Sequence, residues 1–229
     1  MLRAVFFDID NTLYDSTTLA RMARLNSIRA MIDAGLEGEE EELYAQLQRV
    51  IKRRGSNYPK HYDELLKELR VPWSPKIVAA GVVAYERTKL GYLVPFPGVI
   101  PTLLELRRRY RLGVISNGIA VKQWEKLINL GVHHFFECVV TSEEVGCEKP
   151  EAEIFYTAMQ ALGVEAEECV MVGDCPRTDA EGAQRVGMKA VLVRLRGGEE
   201  GKAREAELDA VVRDFRELPG VLRRIEQVV

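Results

Sequence analysis

Two aspartates stand two residues apart near the start of the sequence, in Phe7-Asp8-Ile9-Asp10-Asn11-Thr12-Leu13, directly after a short apolar run at residues 2–7. Carboxylates that close repel one another, and the repulsion pushes one pKa up. One can then stay ionised as a nucleophile while the other serves as an acid. Both face one crevice if the chain turns after Asp8. The same residues also describe a polar strand end followed by an ordinary turn.

Three later segments repeat the pattern of an apolar run that ends in polar groups. Gly113-Val114-Ile115-Ser116-Asn117-Gly118 closes on a hydroxyl and an amide, and a hydroxyl with backbone N–H groups can hold phosphate oxygens. Taken alone, simple turn chemistry is the more common reading of such a segment. Lys149, in Cys147-Glu148-Lys149-Pro150, would meet a phosphate as a point charge, or is a plain surface lysine. Pro150 suits the first position of the helix that follows. Val170-Met171-Val172-Gly173-Asp174 ends in an acid, with Asp179 five residues on. Such oxygens are the hard ligands that Mg²⁺ prefers, and an acidic helix cap is the alternative.

These groups need a scaffold that gathers strand ends. Residues 2–7, 112–115, 138–141, 169–172 and 189–193 read as short buried strands, with a weaker one at 210–212. Helical spacing fills the gaps at 99–110, 119–130, 151–162 and 180–186. Strand and helix in alternation predict an α/β fold, a parallel Rossmann-like sheet with helices on both faces. Its ligands belong at the carboxyl ends of the strands. Residues 16–93 break the alternation and read as helices only, with apolar stripes at Leu19–Ile32, Leu43–Ile51 and Leu65–Leu69 and a fourth helix at 77–89. The domain reading is therefore a catalytic core of residues 1–15 and 94–229, with an inserted all-helical cap at 16–93. Within that insert, the loop from Gly55 to His61, carrying Asn57 and Lys60, either faces a substrate or simply connects helices. Trp73 and Trp124 are expected to pack, and His133 and His134 to be structural.

Bulk composition narrows the function classes. The 229 residues are 47% hydrophobic and 29% charged, an ordinary globular balance. The 32 basic residues face 35 acidic ones for a formal net charge of −3, without the basic stripe of a nucleic-acid binder. No apolar stretch approaches the roughly 20 residues of a membrane helix, and the N-terminus lacks the form of a signal peptide. A cytoplasmic protein without membrane or nucleic-acid partners is expected. The four cysteines form no CxxC pair, which disfavours zinc and suits a reducing compartment. Oligomeric state has no signature in the sequence.

In order and placement, the four segments resemble the four motifs of the haloacid dehalogenase superfamily, over a span from Phe6 to about Val193 and with the helical insert where a cap is expected. The resemblance implies a Mg²⁺-dependent phosphatase of small phosphorylated metabolites, of sugar or triose phosphate type. It implies Asp8 as the nucleophile that takes the phosphoryl group and Asp10 as general acid and base, its main-chain carbonyl a metal ligand. Thr12 and Ser116 would hydrogen-bond the phosphoryl oxygens, Asn117 and Gly118 would give backbone contacts, and Lys149 would bind nucleophile and phosphate. Asp174 would bind Mg²⁺ together with Asp8 and Asp10, and Asp179 would support the metal. Cys175 departs from the serine common after the motif aspartate. Asp10 favours phosphate chemistry over a 2-haloacid dehalogenase, because halide leaves without a proton. A phosphomutase uses the same two aspartates and stays open, as does a non-catalytic module that binds phosphometabolites.

Overall fold

The computed structural model describes residues 1–195 and 208–228. Its sheet has six strands: β1 (Ala4–Phe7), β2 (Arg111–Ser116), β3 (Cys138–Thr141), β4 (Cys169–Gly173), β5 (Lys189–Val193) and β6 (Ala210–Val212). Their spatial order is β3-β2-β1-β4-β5-β6, with every neighbouring pair parallel. The order reverses direction between β1 and β4. Right-handed crossovers then put the helices before and after the reversal on opposite faces, and a crevice opens at the carboxyl ends of β1 and β4. The expected α/β architecture is borne out.

The chain divides into two compact units, one of Met1–Ser16 with Leu93–Val229 and the other of Thr17–Tyr92. In the first, α5 (Val99–Leu106), α6 (Ala120–Asn129), a short α7 (Ser142–Val145), α8 (Ala152–Leu162), a short α9 (Glu181–Arg185) and α10 (Leu218–Val228) alternate with the strands. The second holds the turns of α1 (Ser16–Asp33) from Thr17 onward, with α2 (Glu40–Arg54), α3 (His61–Glu68) and α4 (Pro75–Tyr92).

All four residues of β1 are buried, because both sheet faces are covered. The strand period sends neighbours to opposite faces. Phe6 joins Phe155, Ala158 and Leu162 of α8 in one core. Phe7 instead lies 6.0 Å from the rings of both Phe136 and Phe215. Each fully buried phenylalanine contributes about 2 kcal/mol, so the strand that delivers Asp8 is anchored on both sides.

In the helical unit Ile28, Met31, Leu43, Leu47, Leu65, Leu66 and Ile77 form one core, where the apolar stripes predict it. α2 carries Glu40, Glu41 and Glu42 in its first turn and Lys52, Arg53 and Arg54 in its last, the distribution that the helix dipole favours. The loop after it folds on itself. The Arg54 guanidinium lies 5.4 Å from the Tyr58 ring centre, Tyr58 meets His61 edge-on, and a His61 ring nitrogen lies 2.9 Å from the Gly55 carbonyl. Neither tryptophan packs as expected. Trp73 is 64% exposed, its indole N–H donating to Asp63, and Trp124 is 38% exposed. Both fall on the outer side of their segments, and aromatic identity alone does not reveal that.

Gly113 pairs in register with Phe6 on one side and Cys138 on the other. An added Cβ there would come within 2.7 Å of the Phe6 ring and 2.9 Å of the Cys138 sulfur. Overpacking of this kind costs about 1–3 kcal/mol. Gly113→Ala is therefore expected to lower the thermal midpoint by several degrees, and a midpoint equal to wild type in a melting experiment would contradict this packing.

Candidate functional site

The strand ends deliver the chemistry. Asp8 follows β1 and Asp174 follows β4, and the Asp8 N–H donates to the Val172 carbonyl at 2.9 Å, tying the two ends together. After β4 the chain enters a π-helical turn, Pro176–Ala180, which leads into α9. This turn swings Asp179 inward until it is 2% exposed. The Asp179 carboxylate accepts the Cys175 N–H at 2.9 Å and lies so close to Gly173 that a Cβ at that position would collide with it. Asp8, Asp174 and Asp179 each offer a carboxylate oxygen within 4.8 Å of the others.

A buried ammonium sits between Asp8 and Asp179. The Lys149 ammonium donates to Asp8 Oδ1 at 2.7 Å and to the Ile115 carbonyl at 2.8 Å, and it pairs with Asp179 Oδ1 at 2.7 Å. All three of its donors are used, and the side chain is 2% exposed. Three carboxylates outnumber the cations beside them, the Lys149 ammonium and, at the Asp174 main chain, the Arg194 guanidinium. The imbalance appears in the acidities. Burial pushes Asp8 up to about 7, against the attraction of Lys149 and with help from Asp179 and Asp10. Burial, then Asp179, pushes Asp174 up to about 6. Burial opposes the charge on Lys149, but Asp179 and Asp8 outweigh it and hold the ammonium above its ordinary range. Three oxygen donors and an excess of negative charge fit a hard divalent cation.

The supporting contacts are specific. Asn117 exchanges two hydrogen bonds with the main chain of Lys149: the Lys149 N–H donates to its Oδ1 at 2.8 Å, and its Nδ2 donates to the Lys149 carbonyl at 3.1 Å. The Gly118 N–H donates to Ser142 Oγ at 2.8 Å, so in this arrangement it is committed within the protein. Arg194, at the end of β5, donates to the Asp174 carbonyl at 2.6 Å. The Lys149–Pro150 peptide is cis, and α8 begins at Ala152, so Pro150 precedes the helix and does not occupy its first position. Ser116 is 1% exposed at the end of β2. Thr12 is fully buried, and its hydroxyl has no partner among the described residues. A buried hydroxyl left without a partner is the kind of group a ligand completes.

Asp10 lies outside the carboxylate cluster. Asn11 turns the chain with a φ of 56°, a conformation that asparagine tolerates better than most residues. The Asp10 carboxylate accepts from the Tyr14 hydroxyl at 2.5 Å and from the Lys126 ammonium at 2.6 Å.

With this geometry in place, residues 2–187 match the haloacid dehalogenase-like hydrolase family. The chain belongs to this family. Among its relatives, this haloacid dehalogenase-like hydrolase is 53% identical to the glyceraldehyde 3-phosphate phosphatase of Methanopyrus kandleri, over 98% of this chain and 99% of that protein. It is 39% identical to the protein of that name from Methanocaldococcus jannaschii, over 99% of this chain and the whole of the other. The crystal structure of a phosphatase of the family from Thermococcus onnurineus superposes with a TM-score of 0.69 at 29% identity, covering 96% of this chain and 98% of that one.

Lys126, Arg194 and Ser142 stand outside the residues singled out in the sequence. Lys126 had one available signal. Gln123, Lys126 and Leu127, with Leu130 just past the end of α6, fall on one face at helical spacing, the face where burial concentrates, and a lysine there needs a partner.

If Lys149 balances the buried acids, its removal should leave them uncompensated. Lys149→Met is expected to destabilise the metal-free protein by about 3 kcal/mol near neutral pH. The penalty should shrink toward pH 5, where protonation neutralises Asp8 and Asp174. Urea denaturation in EDTA at the two pH values checks this, and a pH-independent loss would count against the charge argument.

Proposed function

We propose that this chain is a Mg²⁺-dependent phosphatase that hydrolyses glyceraldehyde 3-phosphate through an aspartyl-phosphate on Asp8. The observation that carries the reaction class is the cluster of Asp8, Asp174 and Asp179, with buried Asp8 and Asp179 paired to Lys149 and a second acid, Asp10, held beside it. The names of the relatives at 53% and 39% identity supply the substrate.

In this reading one Asp8 oxygen attacks phosphorus as the bond to the sugar oxygen breaks. Asp10 gives that oxygen a proton. A water then attacks the acyl phosphate, Asp10 takes its proton, and phosphate departs with Asp8 restored. Lys149 offsets the repulsion between a carboxylate nucleophile and a phosphate dianion. The unpartnered Thr12 hydroxyl and Ser116 hold phosphoryl oxygens. Asp8, Asp174 and the Asp10 carbonyl would hold Mg²⁺, with Asp179 supporting the site. When bound, the ion offsets charge on the phosphoryl oxygens. Asp10 favours this chemistry over halide displacement, which needs no proton.

Phosphate release from a panel of phosphorylated metabolites, with Mg²⁺ or with EDTA, tests the proposal. Glyceraldehyde 3-phosphate is expected to rank first, with release lost in EDTA and reduced at least about 1,000-fold in Asp8→Asn. Multiple turnover retained in Asp8→Asn would remove Asp8 as the nucleophile. Transfer of phosphate to a second sugar position without release would make the protein a mutase.

The raised acidities add a linkage. A carboxyl whose folded pKa lies above its unfolded value stabilises the fold at low pH, and that stability is lost as pH rises through the folded value. For Asp8 the window runs from about pH 4 to about pH 7. The metal-free protein should therefore melt lower at about pH 7.5 than at about pH 5. Mg²⁺, which needs the ionised carboxylates, should raise the melting temperature more at the higher pH. Thermal shift with Mg²⁺ or EDTA at both pH values reads this directly, and an equal Mg²⁺ effect at both would contradict it.

A further inference from the structure

We propose that Lys126 and Tyr14 are positioning residues that together fix the orientation of the Asp10 carboxylate for proton transfer at the leaving oxygen. The proposal rests on the reading of Asp10 as the acid of the reaction.

Each oxygen of Asp10 has its own donor, Tyr14 on Oδ1 at 2.5 Å and Lys126 on Oδ2 at 2.6 Å. Two donors on two different oxygens fix the rotation of a carboxylate as well as its place. Asp10 needs such fixing, because its side chain is 37% exposed and lies between a strand end and a left-handed turn at Asn11. An aspartate in that setting, without partners, would sample several rotamers.

Both donors are themselves anchored. Tyr14 is 3% exposed, and its backbone bridges to Asp10 on one side and to Pro95 on the other. Lys126 projects from α6, whose first turn is tied to α7 and to Asn117, the residue after β2. The Ala120 N–H donates to Glu143, and the Gln123 side chain, 3% exposed, donates to the Asn117 carbonyl. Lys126 follows Gln123 by three residues on the same face, and its side chain is 20% exposed. The helix that approaches the phosphoryl-side loop thus also reaches back to the acid. Asp8 shares the Lys149 ammonium with Asp179, whereas Asp10 has the Lys126 ammonium, which comes from outside the four motif segments.

An ordinary half-exposed ion pair would contribute a little stability and nothing to the reaction. The two roles part when the leaving group is varied. An alkyl phosphate needs a proton on its departing oxygen, whereas 4-nitrophenyl phosphate leaves as a stable phenolate. The ratio kcat/KM reports the steps up to the phospho-enzyme, so it isolates the half-reaction in which Asp10 gives its proton.

The test compares kcat/KM for glyceraldehyde 3-phosphate, or for the best alkyl phosphate of the panel, with that for 4-nitrophenyl phosphate. Lys126→Met and Tyr14→Phe are each expected to lower the alkyl value about tenfold through kcat while the aryl value stays within about twofold. KM should hold, and Lys126→Arg should recover most of the loss. Asp10→Asn sets the reference, with the same selectivity at larger amplitude. A parallel fall on both substrates, no fall on either, or a rise in KM alone would overturn the proposal. If Asp10→Asn itself shows no leaving-group selectivity, the reading of Asp10 as the acid fails, and the proposal with it. If Asp10→Asn shows selectivity that the Lys126 and Tyr14 variants lack, only the proposal fails. Tyr14→Phe removes a single hydroxyl and provides a folded variant should Lys126→Met be unstable.

Discussion

A buried ammonium with too many acids around it governs this site. Lys149 satisfies Asp8, Asp179 and the Ile115 carbonyl at once, yet Asp8 and Asp174 are still pushed toward protonation. The protein has spent folding energy to assemble a place that is incomplete without further positive charge. That strain is what a divalent cation would relieve, and it leaves Asp8 a carboxylate held in low solvation. Much of the surrounding structure serves this cluster. β1 is clamped by aromatic rings on both faces, Gly173 has no side chain so that Asp179 can press against the strand end, and Arg194 fastens the main chain of Asp174.

The sheet was legible because buried parallel strands leave continuous apolar runs bounded by turn residues. Cys138–Thr141, Lys189–Val193 and Ala210–Val212 begin and end where the sequence predicts. β1 is shorter than its apolar run: Leu2 and Arg3 precede the strand. The helix read at residues 180–186 is in fact a π-helical turn followed by a short helix. Helical periodicity cannot distinguish these, because the widened turn answers to the inward pull on Asp179, a partner in tertiary space.

The same limit explains the site. Asp8, Ser116 and Asp174 could be picked out because each follows a predicted strand, and Lys149 because it lies just before a predicted helix. The contacts of Asp10 could not, because Lys126 lies 116 residues away and nothing local announces the pairing. Asn117 was read for its backbone, whereas its side chain is committed to the two main-chain groups of Lys149. A one-dimensional pattern names the groups that a site needs, and the packing decides which of them hold one another.

The surroundings of Lys149 carry a consequence for which residues the position can accept. Its three acceptors converge on a single nitrogen, a tetrahedral demand that an ammonium meets with its three N–H bonds. A guanidinium spreads its donors in a plane over three nitrogens and cannot present them to one point. The pocket therefore discriminates between two side chains of equal charge by shape alone, and arginine at this position would be a disruptive exchange.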